Sequence, residues 1–213
     1  MEAGQQDEFI QELQSAAQMQ FSNPEELTGP IDEKQLQYWQ HLVDDALDRG
    51  AKVIPLLNNP GAGARPFEPL ALINVPPEAR VLHEEIFGPI LPIVTIANTA
   101  AAIAYVNSKP KPLALYWFGK DKKNMKQVLN ETRSGGVTIN DTLLHIAIEH
   151  LPFGGVGASG MGSYHGKAGF DTFSHQKSIF EVRGLFGLNL FNGTQIARPP
   201  YGKKIAWLIR YLK

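Results

Sequence analysis

Residues 151–178 read LPFGGVGASGMGSYHGKAGFDTFSHQKS, and seven of the chain's 20 glycines lie between Gly154 and Gly169. Glycine loses more backbone freedom on folding than any other residue, so such a density has a cause. Either the backbone turns with positive φ there or something approaches it closely. Phe153, Tyr164, Phe170 and Phe173 are threaded through the same stretch, which a flexible Gly/Ser linker would lack. The stretch therefore reads as an ordered, packed loop. Gly155, Gly157 and Gly160 match G-x-G-x-x-G, but a dinucleotide cradle needs a strand before it and a helix after it. Leu-Pro-Phe-Gly is a poor strand end, and Gly162 and Gly166 are poor helix residues. His165 and His175 lack the Cys or spaced His partners of a zinc site, so no metal is expected.

Outward from that loop, the 213 residues are enough for one domain or somewhat more. Apolar residues make up 43% and charged residues 19%, which suits a globular chain with a sizeable core. A formal net charge of −1 gives no electrostatic case for nucleic acid. No run of 18 apolar residues and no signal peptide is present, so a cytoplasmic chain that does not enter membranes is expected. Glycosylation sequons such as those at Asn130 and Asn192 mean little without secretion. There is no cysteine, hence no disulfide framework and no thiol chemistry within these residues.

Toward the start, Phe9, Ile10, Leu13, Ala16 and Ala17 have helical spacing within 7–21. Asp32 is placed to cap a second helix running to about Arg49, with Leu36, Trp39, Leu42, Val43 and Leu47 on one face and Gly50 as its stop. Short strands are expected at 52–57 and 70–75. The apolar run 90–96 suggests a strand covered on both faces. Asn98 or Thr99 starts a helix to Val106, 113–118 is another buried strand, 120–132 a helix with Met125, Val128 and Leu129 inward, and 137–140 a strand. Helices alternating with strands call for an α/β fold with a mostly parallel sheet and flanking helices. Residues 179–182 could extend a final strand with 172–177. The tail from 184 ends in an apolar 205–213, read as a helix docked on its own domain rather than on a membrane surface.

Glu84-Glu-Ile-Phe-Gly-Pro89, Leu113-Ala-Leu-Tyr116, Ser134-Gly-Gly-Val-Thr-Ile-Asn140 and Leu151-Pro-Phe-Gly-Gly155 occur in that order. Together they resemble the C-terminal half of an aldehyde dehydrogenase. Tyr164-His-Gly-Lys-Ala-Gly-Phe-Asp-Thr-Phe-Ser-His175 resembles the class-3-like branch, particularly the coniferyl aldehyde dehydrogenases. The resemblance covers roughly 7–178. It implies a partial catalytic domain over 1–171, an oligomerisation strand over 172–182 and a tail over 183–213.

That family oxidises aldehydes with NAD or NADP. A cysteine thiolate attacks the carbonyl, a hydride passes to the nicotinamide, and a glutamate activates the water that releases the acid. The resemblance implies that the nucleophile, the base and the dinucleotide domain all lie upstream of Met1. No catalytic residue is therefore expected in this chain, and little or no NAD or NADP binding by it alone. Glu85 resembles the residue that accepts hydrogen bonds from the nicotinamide ribose, a task that suits a carboxylate. Phe87 resembles the residue that packs on the nicotinamide. His145, Phe153 and His165 lie where the family's substrate funnel is lined. Taken alone, a solvated surface carboxylate would account for Glu85, core packing for Phe87 and a structural hydrogen bond for either histidine. Glu84 reads as a surface or ion-paired carboxylate. The expected function is the C-terminal portion of an NAD(P)-dependent oxidation of an aldehyde, of aromatic coniferyl type, with a homodimer through 172–182. The alternatives are a non-enzymatic interaction or assembly module and an independent nucleotide-binding domain.

Overall fold

The computed structural model describes residues 1–2, 4–21, 27–57, 67–181 and five isolated positions beyond 198. Among the described residues the bounded helices and strands run in the order α1 (Gln6–Gln20), α2 (Glu33–Asp48), β1 (Lys52–Pro55), β2 (Leu70–Ile73), β3 (Ile90–Pro92), α3 (Thr99–Asn107), β4 (Ala114–Trp117), α4 (Lys122–Glu131), β5 (Gly136–Ile139), α5 (Leu144–Ala147) and α6 (Gly166–Thr172). A 3₁₀ turn, Arg80–Leu82, sits between β2 and β3.

Helix starts follow from local chemistry. Asp32 stands in extended backbone and its Oδ1 accepts from the Gln35 amide at 2.8 Å. Asn98 Oδ1 accepts from Ala101 N at 2.9 Å, and Asp121 Oδ1 from Lys123 N and Asn124 N at 2.8 and 3.1 Å. Each side chain satisfies amides that a helix start leaves without partners, and such caps contribute about 1 kcal/mol.

The strands form two small sheets rather than one. In the order β1-β2-β3, β1 and β2 pair antiparallel and β2 and β3 parallel; β4 and β5 form a separate parallel pair joined through α4. Residues 1–2 lie beside the segment after β3, with Ile96 N donating to Met1 O at 2.8 Å.

The core is concentrated in the first sheet. Trp39, Val43 and Ala46 of α2 pack on Leu72, Val81 and Ile90, and Ala17 of α1 packs on the other side with Leu56, Ala71, Ile73 and Ile93. Trp39, Leu42 and Val43 are buried as expected, and Ala46 rather than Leu47 completes the buried face of α2. β3 is shorter than the run 90–96 and is not covered on both faces. Pro92 is its last residue, with Ile93 N still donating to Leu72 O at 2.8 Å, and Leu91 is exposed. β4 is half-buried rather than buried, and of the inward set on α4 only Val128 is buried. Thr172 is the last residue of α6, so the strand expected over 172–182 does not begin there. The Thr172 hydroxyl donates to Ala168 O at 2.8 Å, closing the helix. Residues 173–181 are exposed, and 173–180 pair with no strand among the described residues; Val182 and nearly all of the 183–213 tail, including most of the helix expected at 205–213, lie outside the described residues.

Candidate functional site

Two groups of side chains stand out, one on the loop entering β3 and one around the glycine-rich stretch.

The loop begins where Pro76-Pro77 leave β2. Ala79 and Val81 are buried, and the 3₁₀ turn is tied to α2 by Asp45, whose Oδ2 accepts from Arg80 N at 2.8 Å. That hydrogen bond, with Arg49 beside it, holds the Asp45 carboxyl below its ordinary range. Arg80 donates from Nε and Nη2 to both oxygens of Glu84, at 2.6 and 3.0 Å, and this fork holds Glu84 low in the same way. Glu84 is thus the ion-paired carboxylate of the two.

From Glu85 onward α2 grips the backbone. Tyr38 Oη donates to Glu85 O at 2.9 Å, and Trp39 Nε1 donates to Ile86 O at 3.0 Å with Gln35 Nε2 at 3.4 Å. Desolvation at this seam, and then the Glu84 charge, push the Tyr38 hydroxyl upward. Gly88 lies flat on the indole: a Cβ there would stand 2.2 Å from Trp39 Cε2. Between these fixed units Phe87 adopts φ +44°, a left-handed conformation that costs a non-glycine residue on the order of 1 kcal/mol. It persists because both flanking peptide units are held. The result is an 83% exposed Phe87 ring. The Glu85 side chain beside it is exposed, and its carboxylate accepts no hydrogen bond from any described residue. An open, largely apolar hollow of about 700 Å³ borders the loop, lined by Phe87, Gly88, Trp39, Gln35, Ile31 and Leu70 among others.

The second group is built by close backbone approach. Phe153 and Tyr164 exchange amide hydrogen bonds, both 2.9 Å. Gly154 lies so near the facing strand of the loop that a Cβ would be 2.1 Å from Gly162 O. This brings five rings together. Phe153 stacks on His165 at 6.0 Å and 25°, meets Tyr164 edge-on at 5.5 Å and stands 6.1 Å from His145, which in turn lies 6.1 Å from Tyr116. His145 is buried, with Nδ1 2.7 Å from Thr138 Oγ1. Its Nε2 and the Nδ1 of His165 are buried without a hydrogen-bond partner. The cluster is an aromatic wall with two uncommitted imidazole nitrogens.

The structure thus brings His145, Phe153 and His165 together and sets Glu85 and Phe87 on one loop. No described hydrogen bond or ring contact joins the two groups. The Gly155–Gly160 match is a self-packed turn. Gly157 and Gly160 bridge each other, and a Cβ on Gly155 would be 2.0 Å from Ser159 O. The next helix begins only at Gly166, so no helix start faces that turn as a phosphate cradle requires. Tyr38, Trp39 and Gln35 carry roles that their sequence did not reveal. On an amphipathic helix they look like core and surface, and their polar contacts lie 46 to 51 residues away.

An exposed carboxylate–phenylalanine loop enters the parallel pair of an α/β domain, and a glycine-laced turn follows the second pair. The chain matches the Aldehyde dehydrogenase family over residues 1–179 and belongs to that family. It is 44% identical over 206 residues to a probable coniferyl aldehyde dehydrogenase of Pseudomonas aeruginosa, covering 95% of this chain and 42% of the relative. It is 49% identical over 144 residues to aldehyde dehydrogenase family 3 member A2 of Mus musculus, covering 67% and 29%. Among solved structures it is similar to a substrate-bound Staphylococcus aureus AldH, with TM-score 0.78, 34% identity, and 100% of this chain and 45% of that one covered. It is also similar to a Staphylococcus aureus betaine aldehyde dehydrogenase in complex with NAD+, with TM-score 0.69, 25% identity, and coverage of 81% and 36%. The chain therefore spans about two-fifths of the length of the curated coniferyl relative that it matches.

Proposed function

We propose that these residues form the C-terminal portion of an NAD(P)-dependent aldehyde dehydrogenase that oxidises an aromatic, coniferyl-type aldehyde to its acid. The observation that carries this reading is the loop. The Glu85 carboxylate has both oxygens free to accept the two ribose hydroxyls of a nicotinamide nucleotide, and the exposed Phe87 ring offers a face for the nicotinamide. When bound, that cofactor accepts the hydride. The chain's own part is to hold the ribose through Glu85, to back the ring with Phe87, and to line the aldehyde's approach with Phe153, His145 and His165. The rings of Phe153, Tyr164 and His165 offer an aromatic wall that suits an aromatic guest.

Aldehyde oxidation by a covalent route needs a thiolate, and these 213 residues contain no cysteine. The chain alone is expected to give no NAD-dependent oxidation of coniferaldehyde above a protein-free blank. Its NAD+ affinity is expected to be weaker than about millimolar, because two residues at one end of a dinucleotide do not offset the cost of association. Calorimetric titration checks this, and micromolar binding would overturn it.

The decisive test joins these residues to the matching N-terminal part of the Pseudomonas aeruginosa relative. The chimera should reduce NAD+ with coniferaldehyde. Within it, Glu85→Gln should raise KM for NAD+ about tenfold, the worth of one charge-assisted hydrogen bond. A chimera that melts like the parent enzyme yet oxidises no aldehyde overturns the reading. The rival, a non-enzymatic assembly module, is favoured by the exposed Phe173, Ile179 and Phe180, and an inactive but associating chimera would support it.

A further inference from the structure

The loop's geometry is set from outside itself. Phe87 has no strand pairing of its own, its ring is exposed, and its backbone is in a left-handed conformation. Left to itself such a residue would relax to negative φ. What prevents this is α2. Two consecutive residues of that helix, Tyr38 and Trp39, direct donors at two consecutive carbonyls, Glu85 O and Ile86 O, at 2.9 and 3.0 Å. The Trp39 ring then blocks the far side, because Gly88 rests on it. Trp39 itself is fixed: it is buried and meets Phe67 edge-on at 5.4 Å. The two peptide units between Glu85 and Phe87 are therefore referenced to one rigid helix.

We propose that Tyr38 and Trp39 are positioning residues for the nicotinamide end of the cofactor. They hold the carbonyls of Glu85 and Ile86 and so decide where the Glu85 carboxylate and the Phe87 ring stand. This rests on the reading of Glu85 and Phe87 given above. The two hydrogen bonds act on backbone, so the side chains at 85 and 87 remain free for the ligand. Gln35, at 3.4 Å from Ile86 O, supplements Trp39 and does not replace it.

The first measurement needs no activity. The whole chain is labelled with fluorophenylalanine, and the Phe87 ¹⁹F resonance is assigned by its loss in Phe87→Leu. Tyr38→Phe removes only a hydroxyl, and Trp39→Phe removes the indole N–H while keeping a ring. Each should shift or broaden the Phe87 signal, whereas Gln40→Ala, on the exposed side of the same helix, should not. A Phe87 signal unmoved by both variants overturns the proposal. The second measurement uses the chimera. Tyr38→Phe and Trp39→Phe should each raise KM for NAD+ about fivefold to tenfold, with KM for coniferaldehyde within about twofold of the parent. Equal rises in both KM values together with a lowered melting temperature would show a merely structural role and overturn it. If the unmutated chimera is inactive, the function fails while the ¹⁹F result still decides whether these two residues set the loop.

Discussion

Thr138 makes two contacts to one residue: its Oγ1 accepts from the His145 amide at 3.3 Å and stands 2.7 Å from the same residue's Nδ1. If Nδ1 accepts the threonine proton, the buried Nε2 carries a hydrogen with no acceptor. If Nδ1 donates, Nε2 is a buried lone pair with no donor. Either tautomer leaves Nε2 buried and unpaired among the described residues, and Thr138 decides whether it carries the proton. Thr138→Val leaves the other nitrogen unpaired as well, and should destabilise the chain by about 1–3 kcal/mol. Thr138→Ser should recover most of that, and thermal melting of the three proteins checks it. A valine variant that melts with the parent would mean that water reaches the ring. Glu85, Phe87, Phe153 and His165 stand in short contiguous motifs, and the roles proposed for them rest on those motifs. The role of Thr138 could not be read in that way, although it lies inside a recognised motif, because its partner is set by the fold of 140–145. The glycine density was legible as close approach, and Gly154 against Gly162 is such a place.

At the scale of elements, the starts of α2 and α3 were legible because capping is a matter of three or four residues. Strand pairing was not. The alternation of elements implies parallel neighbours, but whether β1 meets β2 antiparallel, or β3 continues past Pro92, depends on partners far along the chain. The same holds for the seam between α2 and the 3₁₀ turn, where Asp45, Arg80 and Glu84 meet. Both carboxyls there are depressed in the folded chain, Asp45 chiefly by the Arg80 amide and Glu84 chiefly by the Arg80 guanidinium. A group lowered on folding contributes stability that is fully present above its unfolded value. That contribution is lost as the pH falls through the lowered folded value. The ordinary values are 3.8 and 4.5, so the seam should weaken only in acid. Both groups are open to solvent, which keeps the effect small. The double variant Asp45→Asn, Glu84→Gln should melt lower than the parent at neutral pH and show a flatter decline of Tm below about pH 5. Parallel declines in the two proteins would mean that other carboxylates govern the acid limb.

For the whole molecule the decisive feature is how unevenly apolar surface is covered. Among the described residues, the buried apolar side chains cluster on the first sheet with α1 and α2. The β4–β5 pair has few behind it, chiefly Ile103 and Val128. Beyond α6 the imbalance is sharper: Phe173, Ile179 and Phe180 are 88%, 81% and 91% exposed. Exposed apolar side chains with no cover among the described residues favour association. An extended segment also offers unpaired amides and carbonyls to another chain. Two copies aligning residues 174–180 antiparallel about a twofold axis would satisfy both needs at once, since each segment is self-complementary in that arrangement. The chain is therefore expected not to persist as a monomer at micromolar concentration, and light scattering should give a mass above 23.5 kDa. Lysine is disfavoured at the seam of such a pairing and tolerated on a solvated edge. Ile179→Lys with Phe180→Lys should accordingly return the mass to the monomer value while leaving the melting of the first sheet unchanged. A parent chain that scatters as a sharp 23.5 kDa species and melts cooperatively would show that the segment finds its cover within the chain. A double lysine variant that still associates would move the interface to the thinly covered β4–β5 pair.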